Sequence, residues 1–312
     1  MDNFRKKYGI YTWFGYDIPI TDILDKIKQA GFPSVFLWWD HDLDEYYAPL
    51  GKVVEMARER GLDPENGHMP YYHMNCIWED TLDGKDYFDR YMGLINDARL
   101  AEMDRLVIHP FEMELPVAKR KADLGLSRFA RLGEFARKCG IKLAIENIQD
   151  NESLEMVIDY LNDEYAGLCY DSGHDNVMQR TLYKKKKEEQ TGILLGDGFE
   201  FVNHNYDLLD KYSNKVYAVH LHDNDGTADW HSLPLTGNID WKSLSDKLES
   251  TSYDRSCMLE AMYSTGFKEE GFGRDSDDEL TDVQYLARAY QSCYDLTHMD
   301  EYTARTKEEN EL

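Results

Sequence analysis

No stretch of this 312-residue chain approaches the ~20 consecutive apolar residues of a membrane span. Its opening, Met1-Asp-Asn-Phe-Arg-Lys-Lys, lacks the apolar core of a secretory signal, so a protein without a membrane partner is expected. Cysteine is scarce: Cys76, Cys139, Cys169, Cys257 and Cys293 are odd in number and scattered. That argues against a disulfide framework or a cysteine-based metal site and for reduced core residues in a cytoplasmic protein. Positive charge is also short, with 35 Lys and Arg against 60 Asp and Glu and a formal net charge of −25. Polyanions are bound through basic surfaces that release counterions, so nucleic acid is not an expected partner. The one basic run, Lys184-Lys185-Lys186-Lys187, is diluted by Glu188-Glu189 and reads as a solvated helix face. No GxGxxG loop follows the first apolar run, which removes the main nucleotide-binding alternative.

What the chain does contain is a series of short apolar runs, each stopping at a side chain that can hold a metal. They read Arg105-Leu-Val-Ile-His109, Lys142-Leu-Ala-Ile-Glu146, Leu168-Cys-Tyr-Asp171-Ser-Gly-His174, Val216-Tyr-Ala-Val-His220 and Cys257-Met-Leu-Glu260. Buried strands of a parallel sheet lose the usual alternation because both faces are covered. A charged residue ending such a strand sits where α/β barrels place their chemistry.

Strand-then-helix units recur along the whole length. Ile20, Ile23, Leu24 and Ile27 mark one face of a helix stopping at Gly31; a second, from Val53 to Arg60, closes at Gly61, and a third, around Phe129 to Ala136, at Gly140. Strands are expected near residues 8, 34, 65, 105, 141, 167, 215 and 256, with further helices over 86–102, 241–250 and 280–296. Eight such units predict an α/β fold closed as a (β/α)8 TIM barrel. The barrel is expected to span 1–296 as one domain. An insertion near 176–212 reads as a lid or an oligomer contact, and an acidic tail over 297–312 as a fraying end.

Glu146, Asp171, His220 and Glu260 end the fifth to eighth predicted strands and would converge at one barrel mouth. Three carboxylates and one imidazole carry excess negative charge, which a divalent cation would compensate. Oxygen-rich ligation suits Mn²⁺ or Mg²⁺, and added imidazoles shift the preference toward Zn²⁺ or Co²⁺. Further ligand types surround the four. His174 lies three residues past Asp171, with Ser172-Gly173 permitting a tight turn between them. Asp229 and His231 share one side of an extended segment. His109 ends the fourth strand, and His68 and His73 flank the end of the third, where only one need point inward. His222, Asp223 and His41 read as caps or loop hydrogen-bonders, and His204 and His298 as surface residues.

The motifs Ile108-His109-Pro110, Ala144-Ile-Glu146-Asn147, Cys169-Tyr-Asp171-Ser-Gly-His174, His220-Leu-His-Asp223-Asn, Asp229-Trp-His231-Ser-Leu-Pro-Leu-Thr-Gly-Asn-Ile-Asp-Trp241 and Leu259-Glu260 can be taken together. Through them, from about Tyr8 to Tyr263, the chain resembles the sugar phosphate isomerase/epimerase superfamily, the xylose isomerase-like barrels that include endonuclease IV. The resemblance implies that Glu146, Asp171, His220 and Glu260 are the metal tetrad of a ketose epimerase and that His174 stands beside the substrate. It implies that His109, Asp229 and His231 match further ligands of the endonuclease branch, where either His68 or His73 corresponds to another. The expected activity is a metal-dependent sugar isomerase or epimerase acting through an enediolate on a small carbohydrate. Glu146 and Glu260 would exchange the proton, Trp13, Trp38 and Trp78 would line the pocket, and His68 and His73 are expected with Trp13 and Trp38 among the substrate-binding residues. The alternatives are a lyase or dehydratase on a keto-inositol, an endonuclease-like phosphodiesterase, and a non-catalytic sugar sensor. A homo-oligomer is compatible with all of them.

Overall fold

The computed structural model describes residues 7–42, 46–112, 119–148, 151–196, 198–199, 201, 206–263 and 280–310. Eight parallel strands close into a barrel in sequential order: β1 Tyr8–Tyr11, β2 Ser34–Trp38, β3 Asp63–His68, β4 Arg105–Ile108, β5 Lys142–Glu146, β6 Ala166–Asp171, β7 Val216–Leu221 and β8 Cys257–Leu259. Closure is made by β8 pairing with β1, Tyr8 opposite Cys257 and Ile10 opposite Leu259. The helices are α1 Ile20–Ala30, α2 Leu50–Glu59, α3 Leu82–Leu100, α4 Lys119–Cys139, α5 Asn151–Leu161, α6 Ser172–Thr191, α7 Asp207–Lys211, α8 Trp241–Glu249, α9 Asp282–Thr297 and α10 Met299–Asn310. A short 3-10 helix, Met74–Trp78, precedes α3. Gly31, Gly61 and Gly140 all take positive φ where helices turn into strands, a conformation that costs glycine no Cβ clash.

Strand side chains alternate between two environments. Leu106, Ile108, Leu143, Ile145, Leu168, Tyr170, Val219, Leu221 and Leu259 join the main core against the helices. Their neighbours Val107, Ala144, Cys169 and Ala218 form a separate small cluster, and Met258 packs with Tyr11 and Phe36 in another. Two residues further along each strand path lie His109, Glu146, Asp171, His220 and Glu260. The period of two therefore stacks all five ligand-type side chains above the inward-facing column.

Two expectations about the outer segments change. The stretch near 176–212 is largely helical, because α6 starts immediately at Ser172 and runs to Thr191, making it the sixth helix of the barrel itself. Its buried first turns carry Gly173, His174, Asp175, Asn176 and Gln179, so no apolar stripe advertised it. Lys185, Lys186 and Lys187 do lie on an exposed face of α6. The end of the chain, expected to fray, forms α10, which carries Asp300 and Glu301 in its first turn and ties back through Arg305 to Asp295 at 2.8 Å. His204 lies outside the described residues.

Candidate metal centre

Glu146 is the hub. Its Oε2 lies 3.1 Å from His68 Nε2 and 3.3 Å from His109 Nε2, while Oε1 lies 3.3 Å from His220 Nδ1. His220 Nδ1 is also 3.1 Å from Glu260 Oε2. Glu146, Asp171, His220 and Glu260 each offer a ligand atom within 4.8 Å of the others, all buried; His68, Glu146 and His220 form an overlapping group on the same terms. Beside them lies an outer group of His174, His222, Asp229 and His231.

The backbone around these side chains is tightly specified. Asp171 Oδ1 caps α6 by accepting from the His174 amide at 2.7 Å, while Oδ2 is buried without a hydrogen-bond partner. Asn147 clamps the β5 and β6 ends together. Its Nδ2 donates to Asp171 O and its Oδ1 accepts from Asp171 N, at 2.9 and 2.8 Å. Asp223 and Ser232 exchange backbone hydrogen bonds at 2.8 and 3.1 Å and so pin the segment carrying Asp229 and His231. His231 itself holds φ at 47°, a left-handed geometry that a non-glycine residue adopts only when its surroundings enforce it.

Tautomer chemistry makes the arrangement diagnostic. His68 Nδ1 lies 2.8 Å from Met69 O, His174 Nδ1 3.0 Å from Asn147 O, and His231 Nδ1 2.7 Å from Glu260 O. A carbonyl only accepts, so each Nδ1 is the protonated nitrogen. The opposite nitrogen, Nε2, then faces a carboxylate oxygen at 3.1 Å in all three cases. A neutral imidazole would direct a lone pair at an anion there; either a second proton or a cation must intervene.

The electrostatics follow. Burial alone would raise the Glu146 and Glu260 carboxyls. The imidazole of His220 outweighs it, with His109 assisting at Glu146, holding Glu146 well below the usual range and Glu260 at about 2. Burial likewise works against Asp229 ionising, but His231, His174 and His222 keep it an anion. Burial disfavours a charged His231, yet Asp229 lifts it to about 9; His174 rises too, against burial, through Asp171 and Asp229. Without metal the site therefore sets buried anions against charged His174, His220 and His231, while burial lowers His109. A divalent cation supplies the same compensation while satisfying Asp171 Oδ2, and this donor set of imidazoles and carboxylates fits one.

The fold and this site define an α/β barrel with its titratable groups gathered at the carboxyl ends of the strands. The chain belongs to the xylose isomerase-like TIM barrel family, which it matches over residues 24–282. Among curated relatives it is 25% identical to the uncharacterized protein MJ1311 of Methanocaldococcus jannaschii over 262 residues, covering 80% of this chain and 81% of that one. It is 28% identical to the uncharacterized protein y4fM of Sinorhizobium fredii over 90 residues, covering 29% of this chain and only 22% of that protein. Among solved structures, L-ribulose 3-epimerase superposes with a TM-score of 0.66 at 17% identity, covering 97% of both chains. The IOLI protein with a bound zinc atom gives 0.67 at 16% identity, covering 93% of this chain and 98% of that one. The shared fold is the whole content of these low-identity structural matches.

Each sequence-derived candidate has a definite place. Glu146, Asp171, His220, Glu260 and His109 meet at the mouth. His174, Asp229 and His231 form the outer group, and His174, expected beside a substrate, has Nδ1 on Asn147 and Nε2 on Asp229. His68 faces the centre because β3 ends on it, whereas His73 is exposed and only starts the 3-10 helix, apart from the cluster. Trp38 is half-buried and stacks on His68 at 5.8 Å between ring centres. Trp13 packs beside Tyr11, Phe36 and Met258. Trp78, expected to line the pocket, is fully buried, donates to Pro110 O and packs on Phe129. Asp223 is structural: its Oδ2 accepts from Trp241 Nε1 at 2.7 Å. His41 pairs with Asp97, and His298 packs on Tyr294.

Two positions of the cluster, Asn147 and His222, were not singled out from the sequence. Asn147 shows no periodicity cue. His222 was readable, since it follows His220 by two residues and must share its inward face.

Proposed function

We propose that the protein is a divalent-metal-dependent isomerase or epimerase of a small sugar. The observation carrying this reading is the convergence of Glu146, Asp171, His220 and Glu260 within 4.8 Å at the barrel mouth. The same fold in an epimerase, and in a protein with bound zinc, supports it. Glu146, Asp171, His220 and Glu260 would hold the inner ion, with His68 and His109 on the far side of Glu146. Zn²⁺ and Mn²⁺ suit the mixed donors, with Co²⁺ and Mg²⁺ as substitutes. When bound, the ion supplies a Lewis acid that polarises a carbonyl and favours loss of a neighbouring C–H proton. Glu146 and Glu260, both in contact with His220, are the proton-exchange pair, one receiving the proton from carbon and the other returning it. Trp38 forms a wall against which a sugar face can pack. No helix among the described residues is long and apolar enough to cross a membrane.

A second reading, phosphodiester hydrolysis, is favoured by one feature: the outer group and the His68–His109 pair provide ligands for more than one ion. The net charge of −25 opposes a DNA substrate. The test is a ketose and inosose panel in deuterated water with metal-loaded enzyme. Isomerisation incorporates deuterium at carbon and conserves the formula, whereas a lyase changes it. Glu146→Gln should abolish exchange while leaving the fold intact; a fully active variant, or cleavage of abasic DNA by the wild type, would overturn the assignment.

A further inference from the structure

His222 is fully buried; its Nδ1 has no hydrogen-bond partner, and its Nε2 faces Asp171 Oδ1 at 3.0 Å without hydrogen-bond geometry. An imidazole nitrogen buried against carboxylate oxygens is costly unless a proton or a cation stands between them. Its ring lies 4.1 Å from that of His231, stacked at 22°, and its Nε2 is 3.5 Å from Asp229 Oδ1. The other Asp229 oxygen, Oδ2, is 3.1 Å from both His174 Nε2 and His231 Nε2. Ligands at about 2.0–2.1 Å from a tetrahedral ion stand about 3.3–3.4 Å apart. The measured edges that end on the two Asp229 oxygens, 3.1, 3.1 and 3.5 Å, bracket this spacing.

Resting on the reading of the mouth as a metal centre, we propose that His222 is the fourth protein ligand of an outer ion, completing a closed His₃Asp site with His174, Asp229 and His231. Three protein ligands leave an ion open to water or substrate, as catalytic sites require; four close it. The outer ion is then structural and electrostatic, and the substrate meets only the inner one. That favours single-ion carbonyl chemistry over multi-ion phosphodiester cleavage. Gly173 belongs to this design. It is not a turn glycine but a residue in the first turn of α6, where a Cβ would fall 1.9 Å from His222 Cε1. The missing side chain is the space the imidazole occupies.

The test uses the full-length chain, stripped of metal and titrated with Zn²⁺ and with Co²⁺. Metal per chain is counted for wild type, His222→Gln and Glu260→Gln, with circular dichroism reporting folding. The proposal expects His222→Gln to bind one ion fewer, or to hold the outer one ~10–100-fold more weakly, while keeping the inner ion. It also expects the wild-type outer site to give the intense visible Co²⁺ band of four-coordinate geometry, a readout that stands even if the variant does not fold. Unchanged stoichiometry and affinity in His222→Gln, or a weak five- or six-coordinate outer-site spectrum, would overturn it. So would a wild type that binds a single ion lost in Glu260→Gln but not in His222→Gln, which leaves the inner centre standing. A wild type that binds no ion removes the metal centre and the proposal together.

Discussion

Asp171 offers a clean separation of architecture from chemistry, because its two oxygens have different tasks. Oδ1 caps α6 through the His174 amide and faces His222 Nε2 at 3.0 Å, whereas Oδ2 is buried without a hydrogen-bond partner among the ligand atoms. Asparagine caps helices about as well as aspartate, while alanine in its place costs about 0.5–2 kcal/mol. In metal-free protein Asp171→Asn keeps the cap but removes an anion that holds His174 protonated, so it should be less stable than the wild type, and Asp171→Ala less stable still. With metal the gap to the wild type widens. An ion at a hundred times its dissociation constant stabilises the wild type by about 2.7 kcal/mol. For a 312-residue chain, with unfolding entropy proportional to length, that amounts to about 4 °C in Tm. Thermal melts of the three proteins, in chelator and in excess Zn²⁺ or Mn²⁺, measure it. A metal-induced shift of wild-type size in Asp171→Asn would refute the assignment of Oδ2. Equal chelated stabilities of Asp171→Asn and Asp171→Ala would refute the capping argument.

Other side chains make further predictions. Asp175 is pushed up to about 7 by burial, its bonds from Tyr170 and Gln179 only partly offsetting this. The folded chain thus binds that proton more tightly than the unfolded chain, and this stability is complete below pH ~4 and lost as pH rises to 7. Asp175→Asn should accordingly gain stability relative to wild type between pH 5 and pH 8 in denaturant titrations; a pH-independent difference would refute it. Asp223→Ala removes acceptors for Trp241 Nε1 and for the amides of Asn224 and Leu235, so denaturation should show a loss of at least about 3 kcal/mol. Trp38→Ala should raise KM roughly two- to tenfold, an aromatic contact of about 0.5–1.5 kcal/mol, with metal content and kcat held. A collapse of kcat with loss of metal would show instead that Trp38 acts by holding His68.

The barrel was legible because its strands are short apolar runs between helices that end on glycine, and β4 to β8 announce their own ends with charged ligands. β3 was less so: Asp63–His68 reads Asp-Pro-Glu-Asn-Gly-His, and only its end at His68 decides which of His68 and His73 turns inward. α6 was hidden because its first turns face the site and carry polar residues where a core helix carries apolar ones. α10 was hidden for another reason: its charged surface resembles a solvated tail, and its anchor, Arg305 on Asp295, connects residues ten apart across a helix boundary. Within the site, strand parity forecast the inner ligands and should have forecast His222. Asn147 acts through the backbone of a neighbouring strand, a relation that no spacing within one segment encodes.

Diffraction from metal-loaded crystals, recorded on either side of the zinc and manganese absorption edges, tests the central claim most directly. The account predicts an anomalous peak about 2.0–2.2 Å from donor atoms of Glu146, Asp171, His220 and Glu260. These four side chains paired only with one another and with ordered water, with no anomalous scatterer between them at saturating metal, would contradict it.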